Sequence, residues 1–106
     1  MEKKIIEKFI HDFYHAYYTN DRGQFYRMLS NSFRNRITFE AFNQRRQYAL
    51  IDIGRLKEIE TIDITNHEIK VSCKILIHHH IVKYTFTLLN ENGNLYIKPD
   101  PFMFAK

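Results

Sequence analysis

The chain has 106 residues, 44% of them apolar and 15% aromatic, with 16 Lys and Arg against 12 Asp and Glu for a formal charge of +4. That length closes one core of ordinary size, and a single cysteine, Cys73, excludes an internal disulfide. No apolar run approaches the ~18 residues of a membrane span and Met1-Glu2-Lys3-Lys4 lacks the apolar core of a leader, so the expectation is one cytoplasmic domain over residues 1–106 with no membrane partner.

Apolar residues recur at helical spacing up to about Leu50. A first helix is predicted from Glu2 to Tyr18, because Ile6, Phe9, Ile10, Phe13, Ala16 and Tyr17 share one stripe while Lys3, Glu7, Lys8 and His15 fall elsewhere. Thr19-Asn20-Asp21 ends it. Asp21 then caps a second helix, with Gln24 at the third position of a capping box and Phe25, Met28 and Leu29 on the buried side. Gly23 weakens that first turn slightly. A third helix opens at Thr38, where Ile37 and Phe42 have the spacing of a hydrophobic staple, and ends before Gly54.

From about Leu56 the chain becomes β-branched and alternating, and strand register can be tested by parity. In a tight hairpin the paired positions sum to a constant, and apolar residues must meet apolar residues. A turn at Asn66-His67 sets Ile62 opposite Val71 and Ile64 opposite Ile69. One at His79-His80 sets Ile77 opposite Val82, Ile75 opposite Tyr84, Cys73 opposite Phe86 and Val71 opposite Leu88. Asn92-Gly93, the strongest type I′ signal in the chain, sets Leu88 opposite Ile97. Residues 57–98 therefore read as a four-stranded antiparallel meander with one apolar face, which three N-terminal helices cover. The fold class is α+β.

The other face of this sheet carries Ser72, Lys74, Lys83, Thr85 and Thr87, as solvent requires, but also Leu76, Ile81, Leu89 and Tyr96. These four are candidates for a homodimer interface, against the simpler reading of scattered surface apolar residues. A different protein partner is the remaining alternative.

The order of helices and strands, with the run "FYHAYYTNDRGQFYRMLSNSFRNRITFEAF", resembles the NTF2-like superfamily, also called the cystatin-like or cone-shaped α+β fold. The resemblance covers nearly the whole chain and rests on the long aromatic first helix, the loop with Asp21, a second helix that it implies ends near Ser32-Phe33-Arg34, and a third helix opened by Thr38. None of these is catalytic. It implies a curved sheet that encloses a pocket with the first helix, and an outer sheet surface that forms a dimer. Function in that superfamily ranges over ligand binding, isomerases, hydrolases, adaptors and accessories of mobile elements, so shape alone assigns none.

Within such a pocket the candidates are Tyr14, Tyr17, Glu60 and Tyr84. Parity puts Glu60 on the apolar face opposite Cys73, where desolvation would raise a carboxylate and make it a general base beside a phenolic donor. The alternative is that Glu58, Glu60 and Asp63 form a charged edge that discourages strand pairing. The aromatic residues Phe13, Tyr14, Tyr17 and Tyr18 read as core and rim rather than as a cofactor box. His78-His79-His80 cannot converge on one metal ion, since successive strand residues point to opposite faces, and a turn explains them better. No metal or cofactor is expected, and Cys73 reads as an inert buried thiol.

All seven arginines lie between residues 22 and 55, where the only acids are Glu40 and Asp52, giving that segment +5; the remainder sums to −1. Arg34, Arg36, Arg45 and Arg46 are the candidates for contact with nucleic acid or an acidic protein, beside a merely solvated basic face. The expectation is therefore a non-enzymatic ligand-binding or protein-interaction module of NTF2-like type. Alternatives are a nucleic-acid accessory protein of a mobile element, and a SnoaL-like isomerase or hydrolase with Glu60 as its base.

Overall fold

The computed structural model describes residues 2–44 and 53–99. Helix α1 runs Lys3–Tyr18 and buries Ile6, Ile10, Phe13, Tyr14 and Ala16 as one stripe. It ends in a Schellman closure: the Asn20 amide donates to the Tyr17 carbonyl at 3.2 Å and the Asp21 amide to Ala16 at 2.8 Å, with Asn20 left-handed at φ 56°. Asp21 then caps α2, Arg22–Arg27, through its Oδ1, which accepts from the Gln24 amide at 3.1 Å. Thr38 caps α4, Phe39–Gln44, where its Oγ1 accepts from the Ala41 amide at 3.2 Å.

The expected second helix is instead two. Between α2 and α3, Asn31–Arg36, the backbone of Met28–Ser30 leaves the helical path to pair with the last strand. The Ile97 amide donates to the Met28 carbonyl at 2.7 Å and the Ser30 amide to the Ile97 carbonyl at 2.8 Å. These bonds cover a strand edge that would otherwise carry unpaired groups, which a continued helix could not do. Four helices are thus present among the described residues, against three expected. The expected end of the third helix near Gly54 falls outside the described residues.

The C-terminal half is an open four-stranded antiparallel sheet in sequential order: β1 Arg55–Ile64, β2 Ile69–Ile77, β3 His80–Glu91 and β4 Asn94–Ile97. The first hairpin has the expected pairs Ile62–Val71 and Ile64–Ile69, and the third has Leu88–Ile97. The middle hairpin turns one residue earlier than expected, at His78-His79, so Ile75 meets Val82, Cys73 meets Tyr84, Val71 meets Phe86 and Ile69 meets Leu88. Both turn residues are left-handed, at φ 48° and 70°, the pattern of a type I′ turn. Moving the turn by one residue slides each partner by two, so every side chain keeps its face. Parity alone could not distinguish the two registers.

Parity does fail on β1. Register shifts at Leu56/Glu58 and Ile59/Thr61 leave Lys57 and Glu60 as extra residues, and Ile59, not Glu60, lies opposite Cys73. The reason is written in the spacing: Leu56, Ile59 and Ile62 recur every three residues, and two bulges bring all three, half-buried, opposite Ile75, Cys73 and Val71.

The helices cover one sheet face. Phe13 and Phe25 meet at 4.4 Å between ring centroids, and Phe86 closes on Phe13 and Tyr14 at 6.1 and 6.0 Å. Val71, Cys73, Ile75, Phe86, Leu88 and Ile97 are buried beneath them. Gly54, at φ 74°, sits where an added Cβ would lie 2.4 Å from the Leu76 carbonyl oxygen. Gly54→Ala should therefore cost about 2 kcal/mol or more in urea unfolding, since backbone has to move. In the opposite sense, converting the His78-His79 turn to Asn-Gly should raise stability by about 0.5–1 kcal/mol in the same measurement, because both residues already hold the conformation that Asn and Gly favour.

Candidate functional site

Three tyrosines in the last turns of α1 hold the chain as it enters β1. The buried Tyr14 hydroxyl donates to the Ile53 carbonyl at 3.0 Å, while the Tyr17 and Tyr18 hydroxyls accept from the Ile53 and Leu56 amides at 3.3 and 2.9 Å. Helical spacing places positions 14, 17 and 18 on one side of α1, and their rings stand 5.7–6.5 Å apart. Backbone groups of the chain leading into β1, at Ile53 and Leu56, are thereby satisfied by side chains rather than by another strand.

Where this junction meets the β2–β3 turn the surface opens into a cleft of about 330 Å³, lined by Tyr17, Tyr18, Gly54, Arg55, Leu76, His78 and His79. Its walls combine aromatic rings, one guanidinium and two imidazoles, with no carboxylate or thiol among the described residues. Arg55 has no carboxylate partner among the described residues. A second recess of about 250 Å³ lies between the first half of α1 and the β3–β4 turn, over Ile5, Phe9 and Leu95, with the Lys8–Asp12 ion pair, 2.7 Å, at its rim.

The four residues expected to line an inner pocket stand in different surroundings. Tyr14 is 1% exposed and belongs to the core, and Tyr84 packs its ring 4.7 Å from Phe86. Glu60, displaced by the bulge, reaches Lys74 on the outer face, with 3.7 Å between its Oε2 and the ammonium. Of the four, Tyr17 lines the cleft at the junction. A general base facing an apolar wall therefore has no counterpart at Glu60, whose neighbour is a solvated lysine.

The proposed mating face is also divided. Leu76 pairs with Ile81 near one end of the sheet and Leu89 with Tyr96 at the other, eight residues or about 26 Å apart along β3. Between them lie the pairs Lys74–Lys83, Ser72–Thr85 and Lys70–Thr87, the last two hydrogen-bonded at 3.1 and 2.8 Å. Two apolar pairs separated by a polar band do not make one patch. Lys70 and Lys98 flank Glu68 at 3.1 and 3.9 Å, and the Lys70 hydrogen bond, then its charge, hold that carboxyl below its ordinary range.

Of the arginine candidates, Arg34 is a structural residue. Its Nε donates to the Leu29 carbonyl at 2.9 Å, a terminal nitrogen donates to Asn31, and the guanidinium lies 4.9 Å over the Tyr96 ring. Arg22 donates to the Asn43 carbonyl at 2.8 Å and Arg27 to Gln24 at 3.1 Å. Arg36 is exposed, and Arg45 and Arg46 lie outside the described residues. Neither the His78-His79-His80 run nor any other group of three His, Cys, Asp or Glu could hold a metal ion among the described residues.

Sequence reasoning missed Tyr18 and Arg55 as site residues, assigned Leu76 to a different surface and saw His78 and His79 only as a turn. The signal present in the sequence is the spacing of Tyr14, Tyr17 and Tyr18 at the end of a helix, which core and rim packing accounts for as well.

Fold and cleft together define an α+β protein with an open antiparallel sheet covered on one face. No family model, no curated protein and no solved structure matches the chain. No helix among the described residues is long and apolar enough to cross a membrane.

Cys73 is fully buried, and its burial, with the Glu60 charge adding, pushes the thiol from an ordinary 9.0 up to about 12. It should resist Ellman's reagent at pH 8 in the folded protein and react fully in denaturant. A folded pKa above the unfolded one also fixes the sign of the linkage. Its contribution is intact below pH 9 and erodes as pH rises from there toward 12, because the unfolded thiol ionises first. Cys73→Ala should flatten that part of the stability profile.

Proposed function

We propose that the protein is a non-enzymatic binding module of NTF2-like type, with the cleft at the α1–β1 junction as its recognition site. The observation that carries this reading is where the space lies: the concavity beneath α1 is filled by Phe13, Tyr14 and Phe86, whereas the junction beside it stays open. A cleft of about 330 Å³ falls at the small end of ligand pockets, enough for a fragment-sized molecule and too little for a large cofactor. Its tyrosines are already anchored through their hydroxyls to the backbone amides of Ile53 and Leu56, so the walls are set before a ligand arrives and little ordering cost attends binding. The antiparallel sheet with helices on one face supports the NTF2-like likeness.

A nucleic-acid role draws less support. Three of the described arginines on α2 and α3 spend donors on carbonyl or amide oxygens of the fold, which leaves fewer forks for phosphate. The isomerase or hydrolase alternative lacks its base, since Glu60 faces Lys74.

The test is a titration of the 15N-labelled protein with ring-containing fragments of mixed charge at millimolar concentration. Shifts should concentrate on the amides of residues 17, 18, 54, 55 and 76–79, with the fragments recovered unchanged. If none of these amides responds to any fragment, the cleft is not a recognition site and the reading fails.

A further inference from the structure

We propose that the cleft selects a small aromatic oxyanion, a flat ring bearing a carboxylate or phosphate, with Tyr17, Tyr18 and Leu76 offered to the ring and Arg55, His78 and His79 to the charge. This rests on the binding-module reading and names the ligand class. The chemistry of the walls decides the class. Tyrosine faces and a leucine offer contact to a planar apolar body, and aromatic pairs add to simple burial. Beside the two phenols the polar side chains of the lining are one guanidinium and two imidazoles, and among the described residues no carboxylate joins them.

Arg55 is the centre of that charge. It opens β1, where its backbone pairs with Leu76, and among the described residues neither a carboxylate nor a carbonyl accepts from its guanidinium. Arg34, by contrast, is consumed by Leu29, Asn31 and Tyr96. A guanidinium fork matches the two oxygens of a carboxylate or phosphate in one plane, and charge-assisted bonds of this kind are the strong ones. The histidines reach the same cleft because the I′ turn at its rim is built from them. His tolerates these left-handed positions less well than Asn-Gly would, and in this turn it brings two imidazoles to the cleft.

The decisive comparison is benzoate against benzamide, nearly identical in shape and differing in charge, with phenyl phosphate as a third arm. Each is titrated into the 15N-labelled full chain. Benzoate or phenyl phosphate should bind roughly 10-fold more tightly than benzamide, with saturable shifts at residues 17, 18, 54, 55 and 76–79. The tighter of the two anions identifies the oxyanion. Arg55→Gln should bring the anions down to the level of benzamide. The double change His78→Asn with His79→Gly, which keeps the turn, should lower anion affinity a few-fold without loss of stability. Arg36→Gln, remote from the cleft, should change nothing. Equal affinity for benzoate, phenyl phosphate and benzamide, or an undiminished preference in Arg55→Gln, overturns the anion assignment while leaving the module reading in place. Absence of binding by all three and by the wider fragment set overturns both.

Discussion

The rest of the structure depends on the junction where α1 meets the chain entering β1. Tyr14 carries a hydroxyl into the core and spends it on the Ile53 carbonyl, and Gly54 follows in a left-handed turn pressed against the Leu76 backbone. A buried carbonyl left without a donor would cost about 1–3 kcal/mol, so this bond is less an addition to stability than a condition for burying Ile53 at all. Once Ile53 and Gly54 are placed, Arg55 must start its strand opposite Leu76. The β1 register, its two bulges and the walls of the cleft follow from that start.

Each edge of the sheet is managed by a different device. At β4 the segment Met28–Ser30 supplies backbone partners, which splits what would be one helix into two. At β1 the edge is broken by bulges, carries Lys57, Glu58, Glu60 and Asp63, and has its Leu56 amide satisfied by Tyr18. Charge and irregularity of this kind discourage addition of a further strand. The outer face shows the same economy: cross-strand pairs Ser72–Thr85 and Lys70–Thr87 join hydroxyl and ammonium groups, so most of that face meets water without needing a partner. At its two ends Leu76 stands opposite Ile81, which remains exposed, and Leu89 opposite Tyr96, whose ring lies under Arg34.

What could be read before any coordinates were the quantities that depend on neighbours in sequence. The caps at Asp21 and Thr38, the amphipathic stripe of α1, the reversal at Asn92-Gly93 and the inward odd-numbered face of β2 all follow from interactions within a few residues, and side-chain parity in a ladder is insensitive to a slip of two. For the same reason Cys73 could be placed inside without knowing its partner.

Tertiary packing alone decided the remainder. Whether Met28–Ser30 continues a helix depends on Ile97, some seventy residues away. Whether Glu60 faces in or out depends on bulges that become worthwhile only when Leu56, Ile59 and Ile62 have a core to reach. The cleft is assembled from the end of one helix, the start of one strand and a turn between two others, three places that local propensity treats as unrelated. Short-range preference is encoded residue by residue, whereas convergence of distant side chains is a property of the closed fold.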